Sequence, residues 1–313
     1  MDVRNLGSSG LRLSALGLGC NNFGWQIDIA AAKAVLHKAL DLGITHYDTA
    51  DVYGAGGSES MLGELLGDRR KDVVLATKVG MASMNIADGV DVSRRHIVTA
   101  VEKSLKRLRT DWIDVLYPHQ PDGRTPLEET LRAMDDLVHA GKVRYLACCN
   151  IPAWRVVDAY WVAKSNGLGG FAASQSEYSL LRRGVEDEML PALREHGMGL
   201  IPYFPLASGL LTGKYRRGEA APAGSRIAKL PGLGARYTND ATWTVIEKLE
   251  AHAAANGKEI IDLAISWLLA RPGVSSVIAG ATRPEQVERN VKAAGWALGA
   301  ADLAEIDRIT KGG

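Results

Sequence analysis

The chain has 313 residues, 46% hydrophobic and 23% charged, with a formal net charge of +1. This is ordinary globular composition, long enough to bury a sizeable core. A charge balance so near zero gives no pull toward nucleic acid or an acidic membrane, and a small molecule is the expected partner.

The first thirteen residues read as two short extended pieces on either side of Gly7-Ser8-Ser9-Gly10, which predicts a hairpin across the bottom of a barrel. They hold no apolar stretch long enough for a signal peptide. No window along the chain approaches ~18 uncharged apolar residues, so a soluble, unprocessed protein is expected. Three cysteines, Cys20, Cys148 and Cys149, two of them adjacent, make a poor disulfide framework and suit a reducing cytoplasm.

From there, apolar runs rich in Val, Ile, Leu and Tyr predict strands over 16–19, 45–49, 73–78, 113–117, 145–149, 172–175, 200–203 and 274–278. Helix-period segments cover 30–42, 93–108, 127–139, 153–164, 186–196, 259–270 and 284–293. Ser93, Pro126 and Pro284 supply start signals, and Gly43, Gly141, Gly167 and Gly197 close helices. Eight strands alternating with helices at this length predict a (β/α)8 TIM barrel with an N-terminal hairpin and extra helices, although an open doubly wound sheet alternates too. Two segments, 81–92 and the Gly/Pro-rich 212–239, break the alternation; a long structureless loop of this kind is usually functional or disordered. No linker, repeat or low-complexity tract divides the chain, so residues 1–313 read as one domain.

Four polar residues fall at or just beyond the C-terminal ends of consecutive strands, the face on which barrel enzymes build their sites. They are Asp48 and Tyr53 after the second strand, Lys78 ending the third and His119 after the fourth. Lys78 closes a buried apolar run, where an unpaired charge is costly, and Asp48 is the available counter-charge. A neighbouring ammonium favours a phenolate, so Lys78 is expected to lower the pKa of Tyr53 from its usual value of about 10. Such a tyrosine suits protonation of a developing alkoxide, a contribution of roughly 10²- to 10⁴-fold, with His119 hydrogen-bonding the carbonyl oxygen. Taken singly, Asp48 is an ordinary turn residue, Tyr53 a rim aromatic and His119 a loop hydrogen-bonder. Their coincidence at matching strand ends is the signal.

Two motifs lead nowhere. Gly54-Ala55-Gly56-Gly57-Ser58 looks like a phosphate loop, but it is not GxGxxG and lacks the later acidic residue of a dinucleotide fingerprint. The histidines have no metal-ligand spacing, so no metal is expected.

The segment from Gly43 to Gly54, with His46-Tyr47-Asp48-Thr49-Ala50-Asp51-Val52-Tyr53 at its centre, and the strand end Ala76-Thr77-Lys78 resemble the aldo-keto reductase superfamily. The likeness runs from about Leu6 to Ala293, with motifs at four places in matching order. It implies reduction of an aldehyde or ketone by NADPH, or the reverse, with Asp48, Tyr53, Lys78 and His119 as the catalytic tetrad. It places Cys149, Asn150 and Gln175 on the nicotinamide carboxamide and Tyr203 against the ring. Pro205, Leu206, Ser208, Gly209, Leu211 and Lys214 match a pyrophosphate loop, with Arg226 folding over it. Gly280, Thr282, Arg283, Gln286 and Asn290 match an adenosine site at a helix N-terminus, where Thr282 and Arg283 would take the 2′-phosphate of NADP. Substrate contacts are expected from Asn21, Phe23, Trp25 and Met81.

This sequence also departs from the family. Cys20-Asn21 stands where many relatives have Thr-Trp, so one pocket wall is missing or comes from Trp25. Cys149 replaces a serine and is a weaker hydrogen-bonding group. Arg289 replaces an acid, with weaker adenine recognition or a 2′-phosphate contact as the consequence. The chain also ends at Gly313, so any C-terminal loop over the pocket is expected to be short. The potassium-channel β subunits share the phrase around Ser93-Arg94-Arg95-His96-Ile97, which keeps open a catalytically weak NADPH-binding regulatory subunit. Their counterpart of His119 is not histidine, which favours a reductase here. A lyase using Lys78 as a Schiff base is the third class. Physiological substrate, reaction direction and oligomeric state are not legible in the residues.

Overall fold

Strands buried on both faces read as continuous apolar runs, and β5 (Val74–Val79) is buried at every position. The computed structural model describes residues 1–81, 89–229, 232 and 238–311. It arranges β3 (Leu16–Gly19), β4 (His46–Asp48), β5, β6 (Ile113–Pro118), β7 (Val143–Cys149), β8 (Phe171–Glu177), β9 (Gly199–Tyr203) and β10 (Val277–Gly280) in one parallel sheet. The spatial order is β10-β3-β4-β5-β6-β7-β8-β9. Chain order is therefore spatial order, with no topological switch point, which removes the doubly wound alternative. The ends meet where Leu200 N donates to Gly273 O at 2.8 Å and Ser275 N donates to Leu200 O at 2.9 Å. The protein is a (β/α)8 barrel.

The N-terminal hairpin, β1 (Val3–Asn5) against β2 (Arg12–Ser14), covers the bottom as expected. Its Leu6 and Leu13 are buried among Val74, Val115, Ala173 and Ile201 in the barrel interior. Gly7 lies against the first turns of β8 and β9. A Cβ there would sit 2.6 Å from the carbonyl oxygens of Ala172 and Gly197, and its φ is +56°, so only glycine fits.

Helices α1 (Ile29–Asp41), α3 (Arg94–Leu108), α4 (Leu127–His139) and α5 (Ala153–Asn166) lie close to their predicted spans. Asp28 caps α1 and Ser93 caps α3 through their side-chain oxygens. Three further helices depart from the sequence reading. α2 (Gly57–Leu66) begins inside the run discarded as a false phosphate loop. Its Gly57 and Gly63 are poor helix formers, which hid it. Gly63 is required by packing, since a Cβ would meet the carbonyl oxygen of Arg107 at 2.3 Å where α2 crosses the end of α3. A second helix, Asp240–Ala255, is capped by Asn239. A third, Ala300–Lys311, occupies what was read as a short tail, burying Ile306 and Ile309.

The predicted 186–196 helix is a 3-10 turn (Gly184–Glu186) followed by α6 (Met189–Glu195). The predicted last strand moves forward to β10, and Val274 keeps only an isolated bridge to Leu200. Of the two long loops, residues 82–88 and 230, 231 and 233–237 lie outside the described residues. Among the described residues of the second loop, Arg226–Lys229 form a helical turn, α7. Among the described residues, no helix is long and apolar enough to cross a membrane.

Candidate active site

Parallel register carries the polar strand ends to one rim. Asp48 ends β4 opposite Ala76, and Lys78 on β5 pairs with Tyr117 on β6. His119 follows β6, its backbone N–H donating to Val79 O at 2.8 Å. Tyr53 opens the short turn Tyr53–Gly56, in which Gly54, Ala55 and Gly56 all adopt left-handed φ before α2 begins. The structure thus brings Asp48, Tyr53, Lys78 and His119 together.

Lys78 has no exposed surface, and its Nζ donates to Asp48 Oδ2 at 2.6 Å, Thr49 O at 2.8 Å and Tyr53 Oη at 3.4 Å. Three donors meet three acceptors, which is what a buried ammonium needs. Burial alone would strip its proton, but the charge of Asp48 and the hydrogen bond to it outweigh that and hold Lys78 above the ordinary lysine range. A lysine so firmly protonated is a poor Schiff-base nucleophile.

The expected lowering of the Tyr53 pKa is not the net result. Burial pushes the phenol above its ordinary value, and Lys78 offsets only part of that rise. The resting side chain is a phenol, available to give its proton. The His119 ring meets that of Tyr53 edge-on, with centroids 5.8 Å apart. Burial, and then the Lys78 charge, lower its pKa to about 3, so the imidazole is neutral.

From this cluster a cleft of about 620 Å³ runs across the barrel mouth. At the Tyr53 end it is lined by Cys149, Asn150, Gln175 and Tyr203. Asn150, with a left-handed φ of +55°, donates to His119 O at 3.0 Å and accepts from the Tyr203 hydroxyl at 2.8 Å. Gln175 is anchored in the cleft wall, its Nε2 donating to Asp48 Oδ1 at 2.8 Å, which leaves a second N–H on that nitrogen. Burial raises the Cys149 thiol to about 12, so it lines the cleft as a neutral group.

Along the middle lie Pro205, Leu206, Ser208, Gly209, Lys214 and Arg226, the guanidinium of Arg226 standing 4.9 Å from the centroid of Phe204. Phe204, Ala207 and Ser208 all hold left-handed φ, and such strain persists where surrounding structure demands it. The far end is formed by Gly280, Thr282, Arg283, Gln286 and Asn290 at the start of the helix Pro284–Ala293.

Four expected contacts are placed elsewhere. Leu211 is fully buried in the core, behind the loop it was expected to line. Phe23 is likewise fully buried in the core, with an isolated bridge to Ile27. Trp25 and Met81 are exposed and do not line the cleft, so Trp25 does not supply the missing wall; Asn21 does line it. The sequence reading missed Asn22, Gln26 and Ser225, which line the cleft from loops without a motif. Arg289 reaches the cleft but is tied to Thr212 O and Glu259.

Residues 15–311 match the aldo/keto reductase family. The chain belongs to that family. It is 41% identical over 300 residues to a probable voltage-gated potassium channel subunit beta of Oryza sativa subsp. japonica, covering 94% of this chain and 91% of the relative. It is 35% identical over 321 residues to the L-glyceraldehyde 3-phosphate reductase of Escherichia coli K12, covering 98% and 92%. An uncharacterized oxidoreductase of Bacillus subtilis is 36% identical over 323 residues, covering 100% and 97%.

Aldo/keto reductases are oxidoreductases that generally use NAD(P)H, and the cleft of this member suits such a ligand in two respects. Ser208 Oγ is buried with no hydrogen-bond partner among the described residues, on a run of left-handed backbone of the kind that gathers N–H groups around an anion. Arg283, exposed at the N-terminus of the helix Pro284–Ala293, adds a cation where the helix dipole already favours negative charge.

Proposed function

We propose that this protein reduces an aldehyde or ketone to the alcohol with NADPH, or runs the reverse reaction, with Tyr53 as the proton donor. The observation that carries the reading is the Lys78 ammonium, 2.6 Å from Asp48 and 3.4 Å from the Tyr53 hydroxyl, beside a neutral His119 at one end of the cleft. A bound NADPH supplies the hydride that goes to the carbonyl carbon. Tyr53 gives its proton to the carbonyl oxygen as negative charge develops there, which leaves a phenolate to be reprotonated from solvent. Lys78 stabilises that phenolate, Asp48 keeps Lys78 charged, and His119 donates a hydrogen bond to the same oxygen. Asn150 and Cys149 would hold the nicotinamide, Ser208 and Lys214 the pyrophosphate, and Thr282 and Arg283 the 2′-phosphate. The substrate is a small carbonyl compound, and the three free cysteines, all buried, suit a reducing cytoplasm.

A second reading, an NADPH-binding regulatory subunit of weak activity, follows from the likeness to the rice channel subunit. His119 at the cleft supports the reductase instead. Tryptophan fluorescence with added NADPH, followed by nicotinamide absorbance after adding 4-nitrobenzaldehyde or methylglyoxal, separates the two. Binding with turnover is expected. Tight binding with no turnover would favour the regulatory subunit, and no binding at all would remove both.

A further inference from the structure

Behind the proposed catalytic cluster lies a second set of charged groups with no part in the mechanism above. Glu59, in the first turn of α2, is fully buried; it accepts from Thr77 Oγ1 at 2.6 Å and from Arg107 Nε of α3 at 2.7 Å. Its neighbour Ser58 bonds Thr49 Oγ1 at 2.7 Å and donates to Cys20 O at 2.8 Å. Thr49 and Thr77 flank Lys78, one as the carbonyl it bonds and the other as its neighbour in β5. α2 therefore holds the threonine side chains on both sides of the ammonium.

Asp51, half-buried, lies beside this frame, between Asp48 and Tyr53 in sequence. Its backbone N–H donates to Lys78 O at 3.1 Å. Its Oδ1 is sealed from solvent with no hydrogen-bond partner among the described residues. A carboxylate oxygen in that position is costly unless its charge is removed. The charged groups that act on Asp51 are Glu59 from α2, Arg107 from α3 and Lys78 from β5, and the backbone N–H of Val52 eases it. Burial acts most strongly, and the Glu59–Arg107 pair tunes the result, Glu59 raising the pKa and Arg107 lowering it.

We propose that Asp51 is a positioning residue whose proton state, governed by the Glu59–Arg107 pair, sets the charge around Lys78 and Tyr53 without touching substrate. Burial, reinforced by the Glu59 charge, raises its pKa to about 7, so the group changes charge within the neutral range. When Asp51 is ionised, its charge offsets that of Lys78, and less is left to stabilise the phenolate that forms as Tyr53 gives up its proton. Reduction should then slow as pH rises through neutrality. The size expected of one unit charge in a partly screened interior is roughly three- to tenfold. The inference rests on the reductase reading for its kinetic consequence, but not for the titration itself.

The test uses the full chain with isotope-labelled aspartate, followed by NMR from about pH 5 to 9, alongside the pH profile of carbonyl reduction. One carboxyl resonance should titrate near neutrality and be missing in Asp51→Asn. In Glu59→Gln its midpoint should move to lower pH, because a repelling charge is gone. The fall in turnover across the same range should vanish in Asp51→Asn and shift the same way in Glu59→Gln, which a merely structural role would not produce. An Asp51 resonance that does not titrate in that range in the wild type overturns the inference, as does an unchanged kinetic limb in Asp51→Asn. If the wild type turns over no carbonyl compound, the reductase reading fails, and the midpoint in Glu59→Gln decides the inference alone: a move to lower pH sustains it and a fixed value ends it.

Discussion

Gln175 Nε2 donates to Asp48 Oδ1 at 2.8 Å, joining residues 127 positions apart across the barrel mouth. Lys78 takes the other oxygen, so neither side of this buried carboxylate is left bare. The bond makes Gln175 part of the charged cluster while it also lines the cleft. Its Oε1 is turned toward the thiol of Cys149, 3.8 Å away, a weak contact for an amide oxygen. The residue thus ties β8 to β4 and links the Asp48–Lys78 pair to the wall of the cleft.

Replacing Gln175 with leucine should therefore cost more than a cofactor contact. The Asp48 oxygen would lose its donor in a buried setting, a penalty of about 1–3 kcal/mol in unfolding free energy. Turnover should fall along with it. Urea unfolding measures the first and steady-state kinetics the second. A variant as stable as the wild type would show that water or another side chain serves Asp48 equally well.

Tyr53→Phe removes one hydroxyl from the barrel rim while keeping the ring that meets His119. In the proposed mechanism that hydroxyl serves the transition state rather than the cofactor, so turnover should drop by about 10²-fold or more while NADPH affinity stays within about twofold. Stopped-flow kinetics and fluorescence titration report the two separately. Undiminished turnover would mean that another group supplies the proton.

Much of this arrangement is legible from residue order. Lysine at the end of an apolar run needs an anion, and Asp48 is the partner that strand order supplies. Alternating runs give the barrel, and Gly7-Ser8-Ser9-Gly10 gives the hairpin. What escapes is set by tertiary packing. α2 is hidden because Gly63, chosen for close contact with α3, looks like a helix breaker. Phe23 and Leu211 fall in cleft-forming segments but point inward, and a motif carries no information on which face of an irregular turn is buried. The Tyr53 pKa moves up because burial outweighs Lys78, a balance of magnitudes that residue types alone do not reveal.

Two buried histidines predict how the fold responds to acid. Burial lowers His46 to about 4 and His119 to about 3, against an unfolded value near 6.5. Below that value the unfolded chain takes up protons that the folded chain refuses, so stability is lost as pH falls from about 6.5 toward the folded values. Asp51, raised to about 7, runs the other way over part of this range, so a single titration curve mixes opposing slopes. Comparing the wild type with His119→Gln isolates one histidine. At about 1.4 kcal/mol per pH unit, the wild type should lose on the order of 2 kcal/mol relative to the variant by about pH 5. Parallel curves from urea unfolding would show that His119 protonates freely in the folded state.

At the far end of the cleft, Thr282 and Arg283 are held differently. Gln286 Oε1 accepts from Thr282 N at 2.7 Å and from Thr282 Oγ1 at 3.1 Å, so that residue is already held in place. Arg283 is exposed at the head of the helix Pro284–Ala293, and among the described residues no carboxylate pairs with it. A guanidinium so placed can meet a phosphate with two parallel hydrogen bonds, and the helix N-terminus adds to the attraction. NADH lacks the 2′-phosphate and gains nothing from it. Arg283→Ala should weaken NADPH binding by about tenfold or more and NADH binding by less than about twofold, and the wild-type preference should shrink with added salt. Fluorescence titration with both cofactors at two ionic strengths measures this. Equal losses for the two would mean that Arg283 contacts a part of the cofactor they share.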